Sequence, residues 1–131
     1  MIYYGDEVGL FGKNDPDCRR SMAWIESDWD QEIYHYYKKL IEIRGAHTWL
    51  SRAEVKVQKV FNGLIVMWLE SGDNRLLLVA NSQGEAQHQV IELKGIKPAS
   101  VMELITQKTY NIEENLTLDK IEETSILLFK V

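Results

Sequence analysis

Two pairs of charged residues near the N-terminus are the first candidates for chemistry. Asp6 and Glu7 are adjacent carboxylates that follow the apolar run Ile2-Tyr3-Tyr4 and Gly5. Two carboxyl groups can cleave a sugar bond, but a retaining glycosidase holds them about 5 Å apart across that bond. Neighbours along a strand point to opposite faces. Asp6 and Glu7 are therefore expected to hydrogen-bond at a strand's exit, and no catalytic residue is assigned. Asp15 and Arg19 stand four apart in Asn14-Asp15-Pro16-Asp17-Cys18-Arg19-Arg20. On a loop, that spacing lets a carboxylate and a guanidinium converge. The pair would offer acceptors and a donor fork to sugar hydroxyls, or it would close on itself as a salt bridge that shapes the loop.

The remaining candidates are weaker. Cys18 has basic neighbours that could lower its pKa, but no partner base is evident, and a buried structural thiol is expected. His35, His47 and His88 are isolated, at no spacing that suggests a metal site. Of Trp24, Trp29, Trp49 and Trp68, Trp24 is the best placed to stack on a sugar, with packing as the competing role; Trp68 lies in a strand pattern and reads as core. No phosphate-binding loop, dinucleotide fingerprint, zinc signature or nucleophile elbow is present, so neither cofactor nor metal is expected.

The elements that must position these residues fall in two blocks, residues 1 to 50 and 51 to 131. Residues 1 to 4 read as a strand stopping at Gly5. Residues 9 to 28 are irregular, with Gly9, Gly12, Asn14, Asp15 and Pro16 as turn formers. A loop of about 20 residues is uncommon inside a compact domain and is often functional. A helix follows, with Ser27 or Asp28 as cap and Asp30 and Glu32 complementing its dipole. Ile33, Tyr36, Tyr37, Leu40, Ile41 and Ile43 form one apolar face at helical spacing, and Gly45 is a reasonable stop. From Val55 the period drops to two. Candidate strands cover residues 55–61, 64–69, 76–80, 88–93, 100–105, 108–112, 115–118 and 124–130. Asn62-Gly63 is a strong hairpin signal. Turns fall at residues 71–74 and 81–85. Short strands at this spacing indicate a mainly β fold, a Greek-key sandwich of about eight strands.

Composition sets the outer bounds. The chain has 131 residues, 45% of them hydrophobic, enough for a real core but too few for a complete (β/α)8 barrel, which needs about 250. Its net charge of −5, from 20 acidic and 15 basic residues, gives no electrostatic case for nucleic acid or an anionic membrane surface. A single cysteine excludes an internal disulfide. No signal peptide and no membrane-spanning run are evident, so a cytoplasmic setting is expected.

The run from Ile2 to Leu10, then Gly12, the Asn14-to-Arg20 segment, Met22 and Trp24 resembles the α-amylase family, glycoside hydrolase family 13, most of all its cyclomaltodextrinase, neopullulanase and maltogenic amylase group. The resemblance implies that residues 1 to 50 are the last strand, loop and helix of a (β/α)8 catalytic barrel, and that residues 51 to 131 are the C-terminal β domain. It implies a parent that cleaves α-1,4-glucosidic bonds of maltodextrins or cyclodextrins with retention, whose catalytic residues lie upstream of Met1. Asp15 and Arg19 then match a loop pair that contacts glucose units on the non-reducing side of the cleavage point. Ser21 and Thr48 stand where the family commonly has proline. The expected role is an inactive C-terminal part of an α-glucan hydrolase whose β domain stabilises the barrel. The alternative is a carbohydrate-binding or assembly module without catalysis. A homodimer is possible.

Overall fold

The structure, a computed structural model, describes residues 2–82, 87–93, 95–122 and 125–131. The chain divides into two compact units, Met1–Ala46 and His47–Val131.

The first unit contains three short 3-10 turns, Asp6–Val8, Asp17–Arg19 and Glu26–Asp28, and one helix, α1 (Gln31–Ala46). Residues 2 to 4 form no strand; Met1 lies outside the described residues. A strand is a cooperative pairing, and its N–H and C=O groups need a neighbour to bond. Here the Tyr3 carbonyl instead accepts the Asp6 N–H at 3.2 Å, closing a turn, and Ile2, Tyr3 and Tyr4 stay 45%, 57% and 43% exposed. The helix cap also differs from expectation. Ser27 and Asp28 lie in or beside a 3-10 turn, and Asp30 caps α1: its Oδ1 accepts the N–H groups of Glu32 and Ile33, each at 3.0 Å. The helix runs through Gly45 to Ala46, within the fraying expected of helix ends. Its apolar stripe is only partly covered. Ile43 is buried, while Ile33, Tyr36 and Ile41 are exposed.

The second unit carries eight strands among the described residues. They are β1 (Glu54–Phe61), β2 (Leu64–Ser71), β3 (Asn74–Asn81), β4 (Gln87–Ile91), β5 (Ser100–Glu103), β6 (Thr109–Asn111), β7 (Leu116–Ile121) and β8 (Ser125–Lys130). Thr124 and much of the turn expected over residues 81–85 lie outside the described residues. Six strands form one sheet in the order β1-β2-β3-β8-β5-β6, and β4 pairs β7 in a second; the ladders are antiparallel. The chain changes sheet after β3, β4, β6 and β7, and β8 returns between β3 and β5. This is a Greek-key sandwich, as the strand spacing indicated.

Local sequence explains the hairpins. Asn62 and Gly63 have φ of 45° and 71°, the paired positive values of a type I′ turn, which matches the twist of the strands it joins. Alternation on β2 sends Leu64, Val66 and Trp68 inward, where they meet Leu77 and Val79 of β3, Leu116, Leu118 and Ile121 of β7, and Phe129 of β8. β1 has an irregular register between Val57 and Lys59. The extra residue, Gln58, accepts the Trp68 indole N–H at 2.6 Å and donates to the Glu92 carbonyl at 3.1 Å. A bulge thus satisfies the one polar atom of the largest core side chain.

Candidate functional site

The loop that carries Asp15 and Arg19 is held from several sides. Gly12 approaches the turn Asp17–Arg19 so closely that a Cβ there would lie 2.8 Å from the Cα of Cys18. Only glycine fits that approach without moving backbone. The Lys13 N–H donates to Asp17 Oδ2 at 2.8 Å, and Arg20 donates to Asp17 Oδ1 from Nε at 2.9 Å and from Nη2 at 2.6 Å. The Tyr4 hydroxyl donates to the Arg20 carbonyl at 2.9 Å. Asp17 is therefore the structural carboxylate of the loop. The Lys13 N–H first, and Arg20 second, hold its carboxyl below the usual range.

Asp15 and Arg19 converge. Arg19 Nε lies 2.9 Å from Asp15 Oδ1 and Nη2 lies 3.3 Å from Oδ2, a two-point fork. Both side chains remain largely exposed, at 61% for Asp15 and 72% for Arg19. An ion pair this exposed contributes only about 0–1 kcal/mol. It leaves Asp15 with unused lone pairs and Arg19 with unused N–H groups. The chemistry on offer is hydrogen bonding to a neutral polar ligand, with no group placed to attack a bond.

Asp6 and Glu7 sit in the 3-10 turn Asp6–Val8, so the strand assumed to run through them is absent. Glu7 turns back to accept the Gly5 N–H at 3.0 Å. Asp6 lines an open cleft of about 560 Å³ with Leu10, Phe11, Glu32, Ile33 and Tyr36. Cys18 is exposed and not buried, with Sγ 3.9 Å from Asp15 Oδ1. A short turn on a loop has no second layer to cover it. Trp24 is 81% exposed, so packing within this chain is not its role. Trp29 is pinned by donating to the Ala23 carbonyl at 2.8 Å, and Trp68 is core. Among the described residues no cluster of three His, Cys, Asp or Glu side chains could hold a metal, and no helix is long and apolar enough to cross a membrane. The sequence marks Gly12 as a turn former; its close approach to the turn Asp17–Arg19, which seats the loop, is seen only in the structure.

No protein-family model matches the chain. A cyclomaltodextrinase of Bacillus sp is 35% identical over 96 residues, which cover 72% of this chain and 17% of that protein. Neopullulanase 2 of Thermoactinomyces vulgaris is also 35% identical over 96 residues, 71% of this chain and 16% of that protein. This chain thus spans about a sixth of the length of these curated relatives. A solved cyclomaltodextrinase superposes with a TM-score of 0.83 at 25% identity, over 99% of this chain and 23% of that one. Across its length the chain is similar to the C-terminal part of the α-amylase family, glycoside hydrolase family 13, and within it to the cyclomaltodextrinase, neopullulanase and maltogenic amylase group.

Proposed function

We propose that this chain is the C-terminal part of a retaining α-glucan hydrolase that acts on α-1,4-linked maltodextrins or cyclodextrins. In this reading residues 1 to 50 complete a (β/α)8 barrel and residues 51 to 131 form a domain that stabilises it. The chain itself carries substrate-contacting residues and no catalytic ones. A cytoplasmic setting belongs to this reading, and the exposed free thiol of Cys18 suits it. The observation that carries the proposal is the Asp15–Arg19 fork, closed at 2.9 Å yet exposed. Its charges cancel, so a neutral sugar can approach without desolvating a lone ion, and its spare acceptors and donors suit vicinal hydroxyls. Trp24, exposed on the same segment, adds an aromatic face.

The test is made in the full-length parent with maltotriose as substrate. Asp15→Ala and Arg19→Ala each lose a charge-assisted hydrogen bond, so kcat/KM is expected to fall about tenfold to a hundredfold, with the thermal midpoint nearly unchanged. An unchanged kcat/KM with a lowered midpoint would show that the pair only shapes the loop. The chain by itself is expected to release no glucose or maltose from maltodextrin.

A further inference from the structure

The second unit holds a pocket that the proposed function does not use. The turn Thr48–Arg52 packs against β2, and Thr48, Trp49, Ser51, Arg52 and Ser71 line an open depression of about 390 Å³. Trp49 is half-buried, and His47 packs edge-on against its ring at 6.2 Å. The Ser51 hydroxyl donates to the Thr48 carbonyl at 2.9 Å, and the Leu50 N–H donates to the His47 carbonyl at 2.9 Å. The turn is therefore set before any ligand arrives. Arg52 is exposed and, among the described residues, makes no ion pair. Glu70, the carboxylate beside Ser71, is already engaged by Lys56 at 2.6 Å and Arg75 at 3.7 Å.

A fixed indole, an uncommitted guanidinium and three hydroxyls in one depression make a chemically specific set. The indole offers an apolar face suited to the C–H side of a pyranose ring. Arg52 offers planar donors to ring hydroxyls, the Thr48 and Ser71 hydroxyls can donate and accept, and Ser51, whose O–H is taken by the Thr48 carbonyl, can still accept. Arg52 is the one cation among the residues that line the depression, which suits a neutral ligand better than a phosphate. We propose that this pocket is a secondary binding site for a neutral oligosaccharide, an α-glucan, separate from the Asp15–Arg19 loop. The choice of α-linked glucose rests on the function proposed above; the site itself rests on the pocket's own geometry. Such a site would hold a glucan chain on the β unit without cleaving it.

The experiment titrates the chain with maltohexaose while indole N–H signals are followed by NMR. Trp49 is expected to shift saturably, and the buried Trp68 to stay still. Trp49→Ala is expected to weaken binding about tenfold or more, Arg52→Ala to weaken it severalfold, and Trp49→Phe to weaken it less than Trp49→Ala. Absence of a saturable Trp49 shift overturns the site. So does equal affinity in Arg52→Ala and Trp49→Phe, two variants that spare the fold even if Trp49→Ala does not. Equal binding of cellohexaose with the same Trp49 dependence overturns the α-glucan choice, a failure distinct from that of the site.

Discussion

At the scale of single residues, the loop of the first unit separates two carboxylates by task. Asp17 is consumed by structure: it accepts from the Lys13 N–H and from Arg20. Asp15 faces outward with Arg19. This division predicts a pH response. The folded pKa of Asp17 lies below its unfolded value, so its contribution to loop order is present above the unfolded pKa and is lost as pH falls through the folded pKa. An NMR titration should show the Asp17 carboxyl carbon and the Lys13 N–H moving together at a pH below the ordinary aspartate range. Titration of that carbon at or above the ordinary range would sink the assignment. Glu103 poses the opposite case, a buried carboxylate in the second unit. It is fully buried, and its oxygens accept the N–H groups of Ile105 at 2.9 Å, Thr106 at 2.6 Å and Leu128 at 3.3 Å. Glu103→Gln replaces one acceptor with an amide that faces donors. It should lower stability by about 1–3 kcal/mol in urea unfolding, and a stability equal to that of the unaltered chain would contradict this role.

At the scale of elements, the contrast lies between structure made locally and structure that needs a neighbour. Helix α1 is made locally. Its face pattern is readable at helical spacing, and Asp30 closes its first turn. Asp30→Ala should cost about 1 kcal/mol, seen as earlier melting of the helical circular dichroism signal, while Ser27→Ala should leave that signal in place. Residues 2 to 4 need a neighbour. They have the composition of a strand and adopt none, so their amides are expected to exchange with solvent far faster than those of β2 and β3. Protection of Ile2, Tyr3 and Tyr4 comparable to β3 in a verified monomer would contradict this. Strand β1 borders the six-stranded sheet and exposes Val55, Val57, Val60 and Phe61. Lys56, Lys59 and the irregular register at Gln58 lie along the same strand. Charges and bulges discourage edge-to-edge pairing.

At the scale of the whole molecule, the two units were legible to different degrees. The second unit was readable because each of its strands carries its own signal. β2 alternates Leu64, Val66 and Trp68 to the core, Asn62-Gly63 fixes the first turn, and residues 76 to 80 read as a central strand. The crossovers that place β8 between β3 and β5 carry no such signal, since they come from how two sheets share one core. The first unit was readable mainly through its motif residues. The resemblance drawn from residues 2 to 24 agrees with the relatives found, whereas the strand and the Ser27 or Asp28 cap did not form as the pattern suggested.

The sequence by itself determined the mainly β class, a helix carrying the apolar face Ile33 to Ile43, the hairpin at Asn62-Gly63 and the spacing that lets Asp15 meet Arg19. These follow from period, turn chemistry and short loop reach, all local properties. Tertiary structure alone decided the rest. It showed Gly12 lying against Cys18, Cys18 exposed, Glu103 buried and accepting from Leu128, and Trp49 and Arg52 sharing a depression with Ser71. Each of these depends on which segments become neighbours in space, and close approach or burial between segments leaves no periodic trace along the chain.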